Sequence, residues 1–246
     1  MRALQSIPLS DILFLDIETV PLQKDFEHLS VTEQSLWDEK TLWQRKEQTP
    51  SAYYMERAGI LAEFGKIVCI SVGIFTKETT AVRLKSFYGT DEKKILTDFA
   101  QLLQQYYHKP NHRLCAHNGK EFDFPYLARR MLIQGVPLPT MLDISGKKPW
   151  EVKHLDTMEL WKFGDYKNFT SLKLLAHVLG IPSPKDDIDG SQVATLYYEN
   201  LDNSTLHKAS LDRIVTYCQK DVFTVCQVFF KLSHGKLLDS KSMLVI

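Results

Sequence analysis

Residues 12–17, with the sequence ILFLDI, decide the fold class. This compact apolar run is followed by a turn signal at Val20-Pro21, a pattern typical of a buried strand rather than a helix. Asp16 and Glu18 lie two residues apart near the end of the strand. Because side chains alternate along a strand, both carboxylates point to the same face of the sheet. Two adjacent anions are unfavourable unless protons or a cation neutralise them, although D-x-E alone also fits two solvated acids at a strand end.

The segments that follow this strand show strand and helix patterns in turn. We predict strands over residues 67–76, 80–88, 113–117 and 153–157, and helices over residues 91–107, 121–134, 171–179, 191–198 and 211–232. The first two of these strands are joined by a short polar turn, which is typical of an antiparallel pair. A meander followed by alternating strands and helices predicts an α/β fold, with one mixed sheet of antiparallel and parallel strands flanked by helices.

The size and composition are those of an ordinary globular protein. The chain has 246 residues, of which 44% are hydrophobic and 24% charged, so disorder, collagen and a disulfide scaffold are poor interpretations. We predict a single domain over residues 1–246, with a helical excursion at about residues 22–59. Trp37 and Trp43 in this excursion could clamp a nucleic-acid strand or pack within a helical flap.

The cysteines and the terminal sequence point to a cytoplasmic protein. Cys69, Cys115, Cys218 and Cys226 include no C-x-x-C pair and stand in apolar contexts, so we expect free structural thiols and no zinc site. We find neither a cleavable leader nor the roughly 20 apolar residues of a membrane span, and we expect no membrane partner. Thirty basic and 30 acidic residues give zero net charge, which disfavours a high-affinity nucleic-acid-coating protein but suits an enzyme with local phosphate contacts.

Two further motifs contain acids in positions that suit a site. Asp123 belongs to the segment Asn118-Gly-Lys-Glu-Phe122-Asp123, which follows a parallel-type strand, and open α/β sheets hold ligands at the carboxyl ends of such strands. Tyr217 and Asp221 are four residues apart and share one face of a helix. Each motif has an ordinary alternative: an Asn-Gly turn with an acid that complements the helix dipole, and a buried tyrosine bonded to a helix acid.

Together, D-x-E in a first strand, N-x-x-x-F-D at the start of a helix and Y-x-x-x-D in a late helix resemble the motifs of one exonuclease group. These are the 3′→5′ exonucleases with four essential acids and a tyrosine, and the likeness is greatest to the proofreading domain of family B DNA polymerases and its stand-alone relatives. It covers about residues 11–230 and implies a ribonuclease-H-like fold. The acids gathered at one edge of the sheet would be Asp16, Glu18, Asp123 and Asp221. A related group of these exonucleases has His in place of the tyrosine. Tyr217 occupies that region here, so the resemblance favours the group with tyrosine.

Four carboxylates that converge on a phosphodiester would repel it, so we predict two divalent ions, Mg²⁺ or Mn²⁺, between them. Such ions, about 3.5–4 Å apart, would activate water and stabilise the leaving 3′ oxygen. By the family's pattern, Asp16 bridges both ions, while Glu18 and Asp221 complete the site of the ion that carries the attacking water. Asp123 acts on the second ion, largely through water. Tyr217 orients the water, because a phenol with a pKa of about 10 is a poor base.

The sequence also contains candidate substrate contacts. Asn118 and Phe122 are expected to shape the pocket for the terminal nucleotide, with Thr19 and Lys167 as further contacts. Basic and aromatic residues alternate between residues 147 and 169, as a single-strand groove requires. Acids are mixed with them, so a solvated amphipathic surface explains this pattern equally well.

Other charged positions have ordinary interpretations. The loop 185–190 (KDDIDG) does not fit a calcium loop, and we favour a turn that caps the helix near Ser191, with a place beside the active site as the weaker alternative. Asp156 is interpreted as a structural acid at a strand end. Arg129 and Arg130 could reach a phosphate, although a salt link on the helix surface is the usual fate of such a pair.

The resemblance implies a hydrolase: a 3′→5′ exonuclease that acts on single-stranded DNA and releases nucleoside 5′-monophosphates. RNA or short oligoribonucleotides are the alternative substrates, because a contact with the 2′-hydroxyl cannot be located from sequence. A non-catalytic nucleic-acid-binding module is the alternative from another class, but an unused cluster of like charges would be a stability cost. The expected partners are single-stranded nucleic acid and a separate polymerase or repair protein.

Overall fold

The computed structural model describes residues 1–78, 81–165, 169–182, 188–239 and 242–246. These residues form six strands: β1 (Ile12–Pro21), β2 (Gly65–Phe75), β3 (Val82–Tyr88), β4 (Arg113–Ala116), β5 (Leu155–Asp156) and β6 (Met243–Val245). The same residues form nine α-helices: α1 (Arg2–Gln5), α2 (Val31–Thr41), α3 (Pro50–Arg57), α4 (Glu92–Tyr106), α5 (Asp123–Gln134), α6 (Thr157–Lys162), α7 (Leu172–Val178), α8 (Val193–Glu199) and α9 (Ser204–His234).

The strands form one mixed sheet in the order β5-β4-β1-β2-β3-β6. β1, β2 and β3 pair as an antiparallel meander, whereas β4 is parallel to both β1 and β5, and β6 is parallel to β3. Helices flank this sheet, so the predicted α/β class with a mixed central sheet is confirmed.

The central strand β1 is covered on both faces. Leu13, Leu15 and Ile17 belong to the buried cluster that includes residues of α4 and α5. Ile12 and Phe14 point the other way, into a cluster built largely from α9. Each fully buried aliphatic or aromatic side chain contributes roughly 1.5–3 kcal/mol to folding. The apolar alternation therefore fixes which way every later side chain of β1 points.

The excursion at residues 22–59 contains α2 and α3. Trp37 of α2 is fully buried against Tyr54 and Phe64, and its indole Nε1 donates a hydrogen bond to the carbonyl of Pro50 at 2.9 Å. Trp43 is 91% exposed. Of the two tryptophans, Trp37 therefore packs within a helical flap and Trp43 lies on its surface.

Several elements differ from the prediction. β6, α1 and α6 were not predicted, and α9 begins seven residues earlier than residue 211. The predicted second strand of the meander began at residue 80, which lies outside the described residues, and β3 begins at Val82. All four cysteines are free and buried, as expected.

Arg130 corrects the expectation of a salt link on the helix surface. Its side chain is 2% exposed, and its Nε and Nη2 donate to the two carboxylate oxygens of Glu92 at 2.8 and 2.6 Å. Arg129, next to it on α5, is exposed. The pair Glu92–Arg130 therefore belongs to the core rather than to a phosphate site.

Candidate active site

Asp16 and Glu18 continue the row of β1 side chains that faces α9. The row begins with Ile12 and Phe14 in the apolar cluster beneath that helix, and alternation places the two acids next along it. Glu18 is paired with Cys69 of β2, and the register shifts directly after Glu18. Such a bulge bends the strand locally. The two carboxylates are thus held on the central strand of the sheet, facing the helix that packs across it.

Helix α9 brings further groups to the same place. Cys218 is buried, with its Sγ 3.5 Å from Asp16 Oδ2. One ligand atom from each of Asp16, Glu18 and Cys218 lies within 4.8 Å of the other two. Asp221, three residues after Cys218, is close enough for its charge to raise the pKa values of Asp16 and Glu18. The carboxylates of β1 and α9 therefore face one another.

Asp123 is the fourth acid and the first residue of α5. Its carboxyl is 3% exposed, and its Oδ1 has no hydrogen-bond partner among the described residues. Burial raises its pKa to about 7; repulsion by Asp156 adds to this rise, and the backbone amides of Asp123 and Ile17 oppose it. Repulsion by Asp123 also raises the pKa values of Asp16 and Glu18. The structure thus brings all four predicted acids together.

Burial and mutual repulsion define the electrostatics of the site. Desolvation is the largest cause of the raised pKa values of Asp16 and Glu18, and the next is the neighbouring Glu18 for Asp16 and the Cys69 thiol for Glu18. A buried carboxylate oxygen without a donor, such as Asp123 Oδ1, needs a proton, a cation or a bound water to satisfy it. The four carboxylates are the hard oxygen ligands that Mg²⁺ and Mn²⁺ prefer, so this donor set fits divalent metal ions.

Tyr217 lies at the edge of the acidic cluster. It is half-buried on α9 and donates a hydrogen bond to Asp221, four residues further along the helix. Burial raises its pKa well above the ordinary value, and the charges of Asp221, Glu18 and Asp16 raise it further. The hydroxyl is therefore protonated at neutral pH and acts as a hydrogen-bond donor, not as a base.

The segment between β4 and α5 is held by Asp156. Its Oδ1 accepts the backbone N–H of Asn118 at 2.9 Å, and its Oδ2 accepts that of Lys120 at 3.1 Å. Oδ1 also accepts two backbone N–H groups at the start of α6. Asp156 is thus a structural acid at the end of β5, as interpreted, and it fixes the loop that leads to Asp123.

The predicted substrate contacts lie in two places. Asn118 has a left-handed backbone (φ 63°), and its Oδ1 is buried without a hydrogen-bond partner in the described part of the chain. The Phe122 ring lies 5.3 Å from that of Tyr126, and the Tyr126 hydroxyl is hydrogen-bonded to Thr19. Thr19 and Phe122 therefore meet at Tyr126, next to the acids of β1 and α5. Lys167 lies outside the described residues.

The turn before α8 is close to the tyrosine. Residues 185–187 lie outside the described residues, but Asp189 Oδ1 accepts the backbone N–H of Ser191 at 2.9 Å and caps the following turn, as predicted. A Cβ on Gly190 would lie 3.8 Å from the Tyr217 hydroxyl. The described part of this loop is therefore also beside the active site, which was the weaker alternative.

Two residues of the site were not assigned from the sequence. Cys218 lies inside the Y-x-x-x-D motif, and its spacing of three residues from Asp221 could have placed it on the same side of the helix. Tyr126 connects Thr19 with the backbone of Gly59, to whose carbonyl its hydroxyl donates at 2.8 Å. No local sequence signal predicts that contact, because 67 residues separate the two groups.

Comparison with known proteins agrees with this geometry. Residues 60–242 match the model of a family described as a predicted 3′-5′ exonuclease related to the exonuclease domain of PolB. The structure is similar to that of the family B DNA polymerase from the hyperthermophilic archaeon Pyrobaculum calidifontis, with a TM-score of 0.51 and 15% sequence identity. That similarity covers 87% of this chain and 24% of the polymerase chain, so this chain corresponds to about a quarter of the polymerase.

At this identity the structural likeness concerns the fold alone, and it agrees with the predicted ribonuclease-H-like fold. No curated protein matches the chain. Among the helices of the described residues, none combines the length and the apolar character that a membrane span requires.

Proposed function

We propose that this chain, which belongs to the family of predicted 3′–5′ exonucleases related to the exonuclease domain of PolB, removes nucleotides one at a time from the 3′ end of single-stranded DNA. The products would be nucleoside 5′-monophosphates. The observation that supports the proposal best is the convergence of the half-buried Asp16 with the buried Glu18 and Asp123, all three with raised pKa values, beside Asp221.

The acids would hold two divalent ions, Mg²⁺ or Mn²⁺. When bound, such ions activate an attacking water and stabilise the negative charge on the leaving 3′ oxygen. Asp16 and Glu18 are fixed by β1, Asp221 by α9 and Asp123 by the start of α5. Three rigid elements would thus carry the four proposed ligands, which would lower the entropic cost of ordering the reactive complex.

Tyr217 has a positioning role in this proposal. Its protonated hydroxyl donates to Asp221 and can donate to the attacking water or to a phosphate oxygen. Asn118, Thr19 and Phe122 would surround the terminal nucleotide, Asn118 with an amide oxygen that has no partner among the described residues. Lys167 is proposed as a further phosphate contact.

RNA and short oligoribonucleotides are the second candidate substrates, since the acids act on groups that both polymers contain. We further propose that the protein acts in the cytoplasm, together with a separate polymerase or repair protein. Copurification of such a protein with the tagged chain would test this partnership.

The direct test is digestion of 5′-labelled single-stranded DNA and RNA of one sequence with Mn²⁺ or Mg²⁺. We expect a ladder that shortens from the 3′ end, faster for DNA, and that is abolished by EDTA and by Asp16→Asn. Asp202→Asn, an exposed acid in the turn before α9, is the matched control and should retain full activity. Binding without cleavage of either polymer would favour the non-catalytic module, and faster cleavage of RNA would reverse the substrate assignment.

A further inference from the structure

A cleft runs along the edge strand β5, away from the acidic cluster. Near the active site it is a cavity of about 230 Å³, lined by Asn118, Asp156 and Lys162 among others. A wider cavity of about 620 Å³ lies at the opposite end of β4, where Arg113 is part of the wall. Ile144 and Lys147 line both cavities, so the two are adjacent, and together they are called the narrow and wide ends of the cleft.

The wide end of this cleft is strongly basic. Its wall contains Lys109, Arg113, Lys147 and Lys153, and the acid in the same wall is Glu151. The chain as a whole has zero net charge, so this concentration of cations is local. A basic cleft of this kind attracts a polyanion to one place rather than to the whole surface.

Two histidines of the cleft wall, His112 and His154, add little to this charge. His154 accepts the backbone N–H of Leu114, and burial lowers its pKa to about 4, with further lowering by the charges of Arg113, Lys120 and Lys147. His112 likewise has a pKa lowered by burial. Lysine and arginine are therefore the main source of the positive charge of the cleft.

The basic groups are not neutralised by carboxylates. In the described part of the chain, no ion pair involves Lys109, Lys147 or Lys153, and all three are exposed. Arg113 Nη1 donates to the carbonyls of Pro110 and His112, which holds its guanidinium in place. At the narrow end, by contrast, Lys120 is paired with Glu159 at 2.6 Å.

Exposed aromatic rings accompany both ends of the cleft. Trp150, next to Glu151 of the wide wall, is 76% exposed, and Lys148 Nζ lies 5.3 Å from its ring centroid. Phe163, which directly follows Lys162 of the narrow wall, is 75% exposed. Large exposed rings beside cations are what proteins use to stack the bases of a single strand while binding its phosphates.

We propose that this cleft binds the phosphate backbone of single-stranded nucleic acid on the 5′ side of the bond that is cleaved. The assignment of the 3′ end to the acidic cluster rests on the proposed function. The strand would pass Asn118, follow β5 and reach Lys147, Lys153 and Arg113 several nucleotides upstream. The narrow end has Glu121, Glu159 and Asp156 beside its lysines, so the electrostatic attraction of the phosphates is expected mainly at the wide end.

The geometry predicts a dependence on substrate length. β4, whose amino end lies at the wide cavity, is about 10 Å long at roughly 3.3 Å per residue. A dinucleotide in the active site cannot extend along the whole cleft, whereas an octanucleotide can. Loss of the basic groups should therefore weaken the binding of long substrates and leave the binding of the shortest ones unchanged.

The test compares the wild type with the double variant Lys147→Gln/Lys153→Gln. Affinity for a 5′-fluorescein octathymidylate is measured by anisotropy in EDTA over a range of salt concentrations, and KM and kcat are measured with Mn²⁺ on the octamer and on a dinucleotide. We expect the octamer to bind about tenfold more weakly, and the slope of log K against log salt to fall by about 0.7 for each lost phosphate contact. The kcat on the dinucleotide should not change.

The control is Lys93→Gln/Lys208→Gln, which removes the same charge from exposed positions on α4 and α9. An unchanged salt slope in the cleft variant, or an equal change in the control, would overturn the proposal. Competition by a mononucleotide as strong as that by the octamer would also overturn it, since the cleft would then be an anion pocket rather than a strand path. If neither the octamer nor the dinucleotide is cleaved, but the cleft variant loses binding and the control does not, the cleft proposal stands and the proposed exonuclease activity fails.

Discussion

Glu18 and Glu92 are both 7% exposed, yet their surroundings are opposite. Glu92 Oε1 accepts from Arg130 Nε and from the backbone N–H of Ile67, both at 2.8 Å, and its Oε2 accepts from Arg130 Nη2 and Gln134 at 2.6 and 2.7 Å. Burial raises the pKa of Glu18, and the negative charges of Asp221 and Asp123 raise it further. The same side chain at the same depth is thus paired with a cation in one place and surrounded by like charges in the other.

This difference separates a carboxylate that is complete within the protein from one that is a candidate metal ligand. A buried carboxylate with a bidentate guanidinium and two further donors is complete within the protein. A cluster of buried acids lowers the stability of the metal-free fold and is expected where a cation or protons complete it. Burial alone therefore does not identify an active site, whereas the sign of the neighbouring charges does.

The largest expected effect on stability comes from breaking the buried ion pair between Glu92 and Arg130. Glu92→Gln leaves the Arg130 guanidinium buried without its counter-charge and should lower the free energy of unfolding by about 3–5 kcal/mol. Urea denaturation measures this. The double variant Glu92→Met/Arg130→Met should recover most of the loss, because replacing both ions with apolar groups removes the uncompensated charge. A loss below about 1 kcal/mol in Glu92→Gln would show that the pair is not the structural element described here.

A somewhat smaller effect concerns pH and the acidic cluster. The pKa of Asp123 is raised in the folded protein to about 7 from an ordinary value of 3.8, so the folded state binds the proton more tightly than the unfolded state. The resulting stability is fully present below pH 3.8 and is lost as the pH rises through 7. In EDTA, the wild type should therefore lose up to about 4 kcal/mol relative to Asp123→Asn between pH 4 and pH 8.

The quantity to measure is the difference in the free energy of unfolding between the wild type and Asp123→Asn. Buried histidines change the stability of both proteins with pH in the opposite direction. His154, with a pKa lowered to about 4, gains stability as the pH rises through the acidic range. Subtracting the two denaturation curves at each pH removes this background. A difference that stays constant between pH 4 and pH 8 would contradict the raised pKa of Asp123.

The smallest expected effect is that of Tyr217→Phe, at the edge of the acidic cluster, on the rate of cleavage. Tyr217→Phe removes one hydrogen-bond donor without changing any metal ligand, and a hydrogen bond to a charged group contributes about 1.5–3 kcal/mol. The kcat for single-stranded DNA should fall roughly 10- to 100-fold, with little change in KM. A drop as complete as that of Asp16→Asn would mean that the tyrosine is a metal ligand or a base, and no drop would remove it from the mechanism.

The sequence was sufficient to predict local patterns and the acids of the site. The run ILFLDI with its two acids, the antiparallel meander and the motifs around Asp123 and Tyr217 each depend on short spacings, and the structure brings their acids together. Hydrophobic periodicity and strand alternation determine such features within a few residues.

Contacts between distant segments could not be predicted in this way. β6 is only three residues long and pairs with β3, which lies more than 150 residues earlier in the chain. The burial of Arg130 depends on Glu92, 38 residues away. Cys218 approaches Asp16 across 202 residues, and the basic cleft combines residues from the loop before β4 with residues from the loop before β5.

The most direct test of the central claim is the free energy of unfolding of the wild type and of Glu18→Gln at pH 8, each in EDTA and in Mn²⁺. In EDTA the variant should be the more stable protein, because it removes a charge from the cluster. In Mn²⁺ at a hundred times the dissociation constant, the wild type should gain about 2.7 kcal/mol and the variant much less. A Glu18→Gln variant that is destabilised in EDTA, as Glu92→Gln is expected to be, together with no effect of Mn²⁺ on the wild type, would contradict a metal-dependent acidic site.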